Sequence, residues 1–206
     1  MELPTYELED MLMSKGYKHI CGVDEVGRGS LAYSVVAAAV IIPTNVMPLL
    51  IGQVNDSKKL NPKKRVELAR LIKKTCDYSI GEISNKYIDE TNILKSTLLA
   101  MNLAIAKLKK IDYVLVDGNQ ELHNCPIEQQ TVIKGDSKSI SIAAASIIAK
   151  EYRDDLMRSV DKDYPNYGFA KHKGYGTKQH MNAIKKYGPC DLHRLTFGGV
   201  CNEKFN

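Results

Sequence analysis

A chain of 206 residues, 44% hydrophobic and 26% charged, holds enough apolar material for one full core and has the composition of an ordinary globular protein. No run of about 18 apolar residues occurs, which speaks against a membrane span, and the acidic first twenty residues lack the apolar stretch of a signal peptide, so a cytoplasmic protein is expected. The net charge of +5 is mild by itself but unevenly placed along the chain.

Residues 19–25 (HICGVDE) and 34–42 (SVVAAAVII) predict two consecutive strands joined by a Gly-rich turn, the second stopped by Pro43. Residues 60–75 predict a helix capped by Asn61, with Pro62 in its first position and Val66, Leu68, Leu71 and Ile72 as its apolar contacts. A third strand is expected over 78–84. One long helix is expected over 89–110, where Ile93, Leu94, Thr97, Leu98 and Met101 recur at spacings of three and four. Residues 111–118 read as an apolar strand ending on Asp117, and 130–136 as a short strand ending on Asp136. A buried helix follows over 137–160, rich in small residues that let it lie close against a sheet. A polar and aromatic loop, a helix over about 178–187 and a tail complete the chain. No repeat or long linker interrupts it, so one domain over 1–206 is expected, with a mixed sheet and helices on both faces.

Four acids share a position in this pattern. Asp24 and Glu25 close the first strand, and Asp117 and Asp136 each end a later one. Strand ends of an α/β sheet are where ligands gather. Each position has a plainer explanation beside it: Asp136 as a helix cap in competition with Ser137 or Ser139, and Asp117 as a turn residue before Gly118. Asp24 and Glu25 resist such an explanation, because apolar residues flank them and burying an unpaired carboxylate is costly. Neighbouring side chains of a regular strand point to opposite faces. For both acids to serve one site, the strand is expected to end or bulge at 24–25, with the glycines of Gly27-Arg28-Gly29 supplying the freedom to do so.

Carboxylates converging without histidine or cysteine suit a hard cation such as Mg²⁺ or Mn²⁺. Five scattered cysteines (Cys21, Cys76, Cys125, Cys190, Cys201) with no C-x-x-C pair argue for free thiols rather than zinc or disulfides. Four carboxylates suffice for two divalent ions about 3.5–4 Å apart, the arrangement that clamps attacking and leaving oxygens in phosphoryl displacement. The basic residues are clustered as well. Lys58, Lys59, Lys63, Lys64, Arg65, Arg70, Lys73 and Lys74 form one group, and Lys171, Lys173, Lys178, Lys185 and Lys186 another among Tyr164, Tyr167, Phe169 and Tyr175. Either is compatible with a solvated face; two of them flanking the acids point toward a sugar–phosphate backbone.

The segments GVDEVGRG (22–29), DSKKL (56–60), IDETNIL (88–94), LVDGN (115–119), KGDSKSISIAAASIIAK (134–150), YPNYGFAKHKGYGTKQH (164–180) and GPCDLHRLTF (188–197) together resemble the type 2 ribonucleases H, specifically ribonuclease HII. The resemblance implies a ribonuclease-H-like α/β fold, with a mixed five-stranded sheet flanked by helices over about 18–160. It implies a C-terminal helical extension over about 161–206 that contacts substrate. It further implies a monomer that cleaves RNA within RNA–DNA hybrids, and on the 5′ side of single ribonucleotides embedded in duplex DNA. Two Mg²⁺ or Mn²⁺ ions would serve this hydrolysis, which leaves 3′-hydroxyl and 5′-phosphate ends. Carried over by position, the metal-binding acids are Asp24, Glu25, Asp117 and Asp136. The backbone of Gly27, Arg28 and Gly29 reads the ribose 2′-hydroxyl, with the arginine on phosphate. Tyr175 stacks on the neighbouring deoxyribose at an RNA-to-DNA junction, and Ser57, Lys58, Lys59 and Asn92 are further nucleic-acid contacts. The short stretch before the first motif favours type HII over HIII. This chain departs from the family after the turn, where relatives carry proline, glycine and proline and it carries Ser30, Tyr33 and Ser34. Tyr33 is therefore expected either to be strained or to re-route the loop. A binding protein with weak or lost cleavage, and a metal-dependent DNA nuclease of the same fold, are the alternatives.

Overall fold

A computed structural model describes residues 3–200; Cys201 and the end of the tail lie outside the described residues. Helix α1 (Glu7–Ser14) leads into strands β1 (Ile20–Val26) and β2 (Val35–Ile41). The short α2 (Met47–Leu50) and α3 (Pro62–Thr75) precede β3 (Asp77–Ile83), α4 (Asn85–Glu90) and α5 (Ile93–Ala106). After β4 (Tyr113–Asp117) and β5 (Gln129–Val132) come a 3₁₀ turn (Gly135–Ser137) and α6 (Ile140–Val160), then α7 (Phe169–His172) and α8 (Lys178–Tyr187). The five strands form one mixed sheet in the order β3-β2-β1-β4-β5, antiparallel among the first three and parallel from β1 to β5. Among the described residues no helix is long and apolar enough to cross a membrane.

The period of two along β2 sorts the core into two layers. Val36, Ala38 and Val40 face α3 and α6, where they meet Leu68, Ile72, Ala144 and Ile148. Val35, Ala37, Ala39 and Ile41 face α5, where they meet Ala100, Met101 and Ala104. Small residues in β1, β2 and α6 bring helix and sheet backbones close. A Cβ on Gly22 would lie 2.2 Å from the Ser141 carbonyl carbon and 2.3 Å from the Ile142 nitrogen. That contact seats α6 across β1 beside Asp24.

Most expected elements form, and the differences have local causes. Asn61 caps α3 by accepting from the Lys64 N–H, as its sequence indicates. The helix expected over 89–110 is two: α4 stops at Glu90, and Asn92 starts α5 afresh, its side-chain oxygen accepting from the Lys95 N–H at 2.9 Å. Asp136 does not end a strand, because β5 stops at Val132 and the acid sits in the 3₁₀ turn. Ser139, rather than Asp136 or Ser137, caps α6 by accepting from the Ile142 N–H. Arg65 does not belong to the basic surface: it is buried, with its guanidinium on Glu151 and 3.5 Å from Asp154.

Gly22→Ala is expected to cost about 3 kcal/mol, since the added methyl has helix backbone rather than a movable side chain against it. Urea unfolding measures it.

Candidate active site

The carboxyl ends of β1 and β4 lie side by side where the sheet switches from antiparallel to parallel neighbours, a position at which open α/β sheets form crevices. Asp24, Glu25 and Asp117 meet there, with one carboxylate oxygen from each within 4.8 Å of the others. The expected break at 24–25 does not occur. β1 runs on to Val26 in unbroken register, with Asp24 opposite Ala38 and Glu25 opposite Ala37. What ends is its ladder to β4, at Val23 opposite Val116. Asp24 lies on the α6 face with Val26, and Glu25 on the α5 face with Val23. The two carboxylates meet around the edge that β4 leaves free, and the longer Glu25 side chain gives the necessary reach.

Asp136 does not join that tight trio, but it stands near enough for its charge to raise the Asp117 pKa. All four acids are held above the usual carboxylate range, and burial is the first cause for each. For Asp24, repulsion from Glu25 and Asp117 adds to it. For Glu25, Arg28 works against the rise from 3.4 Å away. The Gly135 N–H, 2.7 Å from Asp117 Oδ1, favours the charged form of that acid. Burial also opposes the charge of Lys58, yet Asp56, Asp24 and Asp136 outweigh it and raise its pKa. At an effective dielectric of about 20, each like-charge pair 4.8 Å apart repels by roughly 3 kcal/mol. An all-oxygen set this crowded, with Arg28 and Lys58 against four acids, fits a hard divalent cation in charge and in donor type.

A cleft of about 200 Å³ opens beside the acids, lined by Glu25, Gly27, Arg28, Gly29, Ser57, Lys58, Ser146 and Tyr175. The turn after β1 therefore shares a site with the Tyr175 loop, 146 residues later in the chain. Ser57 is buried and hydrogen-bonds Ser146 at 3.0 Å. Lys59 lies outside the lining, its Nζ 4.0 Å from Asp56, and so does Asn92, whose side-chain oxygen caps α5.

Two residues that sequence reasoning did not single out hold this arrangement. Arg153 Nε donates to the Ser34 carbonyl, its Nη2 to the Ser30 hydroxyl and the Ala32 carbonyl, and its Nη1 to the Lys173 carbonyl. Arg194 Nε donates to the Tyr33 carbonyl and its Nη1 to the Arg28 carbonyl. Both side chains are fully buried. Arg153 stands seven residues after Ser146 on the buried stripe of α6, and an arginine in a buried stripe is the available signal. Gly27 has no alternative: its φ is +93°, and a Cβ there would lie 2.3 Å from Arg153 Nε. Tyr33 takes the strain, at φ +71°. Ser30 and Ser34 supply hydrogen bonds in place of rings, Ser30 with Arg153 and Ser34 to Glu82 Oε1 at 2.7 Å.

A profile of the family described as Ribonuclease HII matches residues 21–200. A ribonuclease HII from Caldanaerobacter subterraneus subsp. tengcongensis is 53% identical over 198 residues, covering 95% of this chain and 80% of that one. One from Acetivibrio thermocellus is 50% identical over 198 residues, covering 96% and 75%. Among solved structures, ribonuclease H2 from Pyrococcus horikoshii OT3 superposes with a TM-score of 0.73 at 26% identity, over 88% of this chain and 95% of that one.

The raised acid pKa values make a prediction about stability. A carboxylate whose pKa is higher folded than unfolded stabilises the fold below its unfolded pKa, and that contribution is lost as pH rises through the folded value. Metal-free protein is therefore weakened at pH 7 by Asp24. Asp24→Asn is expected to raise the melting temperature in chelator by about 3–6 °C at pH 7, to lose that advantage toward pH 4, and to abolish stabilisation by Mn²⁺. Calorimetry across pH measures all three.

Proposed function

The chain belongs to the ribonuclease HII family and is a type 2 ribonuclease H, and on that premise we propose that it cuts RNA in RNA–DNA hybrids and on the 5′ side of single ribonucleotides embedded in duplex DNA. The observation that carries this reading is one cleft in which Glu25, a member of the crowded acid trio, meets the Gly27-Arg28-Gly29 turn and Tyr175. Asp24, Glu25, Asp117 and Asp136 would hold two Mg²⁺ or Mn²⁺ ions, which lower the pKa of water and act as Lewis acids at phosphate oxygens.

The protein's own contribution is to choose where that chemistry falls. The turn presents main-chain groups with no Cβ at Gly27 or Gly29, so a sugar can approach and its 2′-hydroxyl, the atom that separates RNA from DNA, can be read by hydrogen bonding. Arg28, half exposed and 3.4 Å from Glu25, is free to turn to a phosphate oxygen. Lys58 lines the cleft as a point charge for a neighbouring phosphate. The Tyr175 ring stacks on the sugar next to the ribonucleotide, which makes the segment after α6 part of the substrate surface. Lys59 and the exposed lysines of α3 would extend the backbone contact, with Asn92 as a further contact. We read the protein as a cytoplasmic monomer; the free thiols of Cys21, Cys76, Cys125 and Cys190 are in keeping with reducing surroundings.

A duplex with one embedded ribonucleotide, run beside an all-DNA duplex, tests the reading. One cut of the first with Mg²⁺ or Mn²⁺, none of the second and none in chelator is the expected result. Cleavage of both would make the protein a DNA nuclease, and binding without cleavage of either would make it a binding module. Tyr175→Ala is expected to lower kcat/KM at a lone ribonucleotide about tenfold more than on an all-RNA strand paired with DNA, the size of one lost stacking contact. Equal losses on the two substrates would remove Tyr175 from junction sensing.

A further inference from the structure

Three histidines lie outside the cleft and take no part in the chemistry above. His172 on α7, His180 on α8 and His193 in the loop after α8 are all buried. His172 stacks on His180 with ring centres 4.4 Å apart, and Phe169 lies within 6.1 Å of all three rings.

Their hydrogen bonds determine where each proton sits. His193 Nδ1 faces the Cys190 N–H at 2.9 Å and must accept, so its proton is on Nε2. That Nε2 lies 3.1 Å from His180 Nε2, which must then accept, and the His180 proton is on Nδ1. His180 Nδ1 donates to the carbonyl of Tyr175 at 3.0 Å. His172 Nδ1 accepts from the Gly174 N–H at 3.2 Å, and its Nε2 donates to the Tyr167 carbonyl at 2.7 Å. The main chain on both sides of the Tyr175 side chain is thus held by imidazole. The far end of the chain is anchored as well, because Asn85 Nδ2 donates to the carbonyls of Asp191 and His193.

We propose that His172, His180 and His193 form a buried imidazole relay that positions Tyr175 for recognition of a lone ribonucleotide, acting through the main chain and touching no substrate. The inference rests on the reading of Tyr175 given above. Each ring works only as one donor and one acceptor. A second proton on His180 Nε2 would set N–H against N–H across 3.1 Å, one on His193 Nδ1 would face the Cys190 N–H, and one on His172 Nδ1 would face the Gly174 N–H. Burial prevents this, holding His180 and His193 down at about 4 and lowering His172 as well. The relay therefore stays neutral and rigid across the range in which a nuclease works. It is a support, not a switch. The Leu31 N–H to Gly174 carbonyl bond, at 2.8 Å, couples the same loop to the turn that reads ribose.

His180→Leu removes the donor to Tyr175, whereas His180→Asn keeps an N–H near the position of Nδ1. His180→Leu is expected to raise KM for the duplex with one ribonucleotide about tenfold and to leave kcat on an all-RNA strand paired with DNA within about twofold, with His180→Asn restoring most of the difference. In a Tyr175→Ala background, His180→Leu should change the substrate ratio less than about twofold. Equal losses on both substrates, or fully additive losses in the double variant, would overturn the relay. If Tyr175→Ala shifts the ratio and His180→Leu does not, the relay alone fails; if Tyr175→Ala shifts nothing, the reading of Tyr175 fails and the relay with it. Should His180→Leu not fold by circular dichroism, His172→Asn, which keeps an acceptor for Gly174, and His172→Gln, which keeps only the far donor, provide the same contrast. Loss of the ratio in Gln but not Asn supports the relay, and identical behaviour of the two overturns it.

Discussion

The Arg153 guanidinium is the joint on which the site depends. It leaves the buried stripe of α6 and bonds the carbonyls of Ala32, Ser34 and Lys173 and the hydroxyl of Ser30. A buried guanidinium must satisfy its donors or lose several kcal/mol. The backbone has therefore brought two distant loops to it, one carrying the Gly27-Arg28-Gly29 turn and the other Tyr175. Glycine at position 27 follows from the same bond, since the guanidinium occupies the space a Cβ would need. Arg194 holds the outer side of that turn through the carbonyls of Arg28 and Tyr33.

Around this joint the protein tolerates local features that are unfavourable in isolation. Asp24, Glu25 and Asp117 crowd their charges at the end of two buried strands. Tyr33 and Lys134 hold positive φ beside the turn and beside Asp136, respectively. Such positions cost about 1–3 kcal/mol each and persist where the surroundings over-determine them. Here the surroundings are the close seat of α6 on β1 and the two apolar layers built on β2. A rigid sheet lets a repulsive site exist until a cation reaches it.

Much of this was legible beforehand. The apolar run in 34–42 stopped by Pro43, the Asn61-Pro62 cap and the apolar stretch before Asp117 each carry a local physical cause, and each element formed where it was expected. The errors lay where local and tertiary preferences compete. The apolar spacing of the helix expected over 89–110 starts only at Ile93, and the polar stretch before it holds the Asn92 cap that separates α5 from α4. Lysine and arginine look alike in a charge count, yet Arg65 was drawn inward by Glu151 and Asp154 while the lysines around it stayed outside. The bulge expected at Asp24 and Glu25 was not needed, because a neighbouring strand that stops early lets both faces of a regular strand contribute to one site.

The sequence by itself determined the strand and helix periods, the residue types able to bind a hard cation, and the order of motifs that marks the family. Those properties are local or compositional, and they survive without knowledge of the fold. Only the tertiary structure decided that Asp136 stands beside the carboxylate trio rather than within it, that Ser30 and Ser34 stiffen the turn with hydrogen bonds, and that buried His172 and His180, the latter backed by His193, bond the main chain on both sides of Tyr175. Each of those depends on groups far apart in the chain meeting at hydrogen-bond distance, where a shift of one ångström separates a bond from a void.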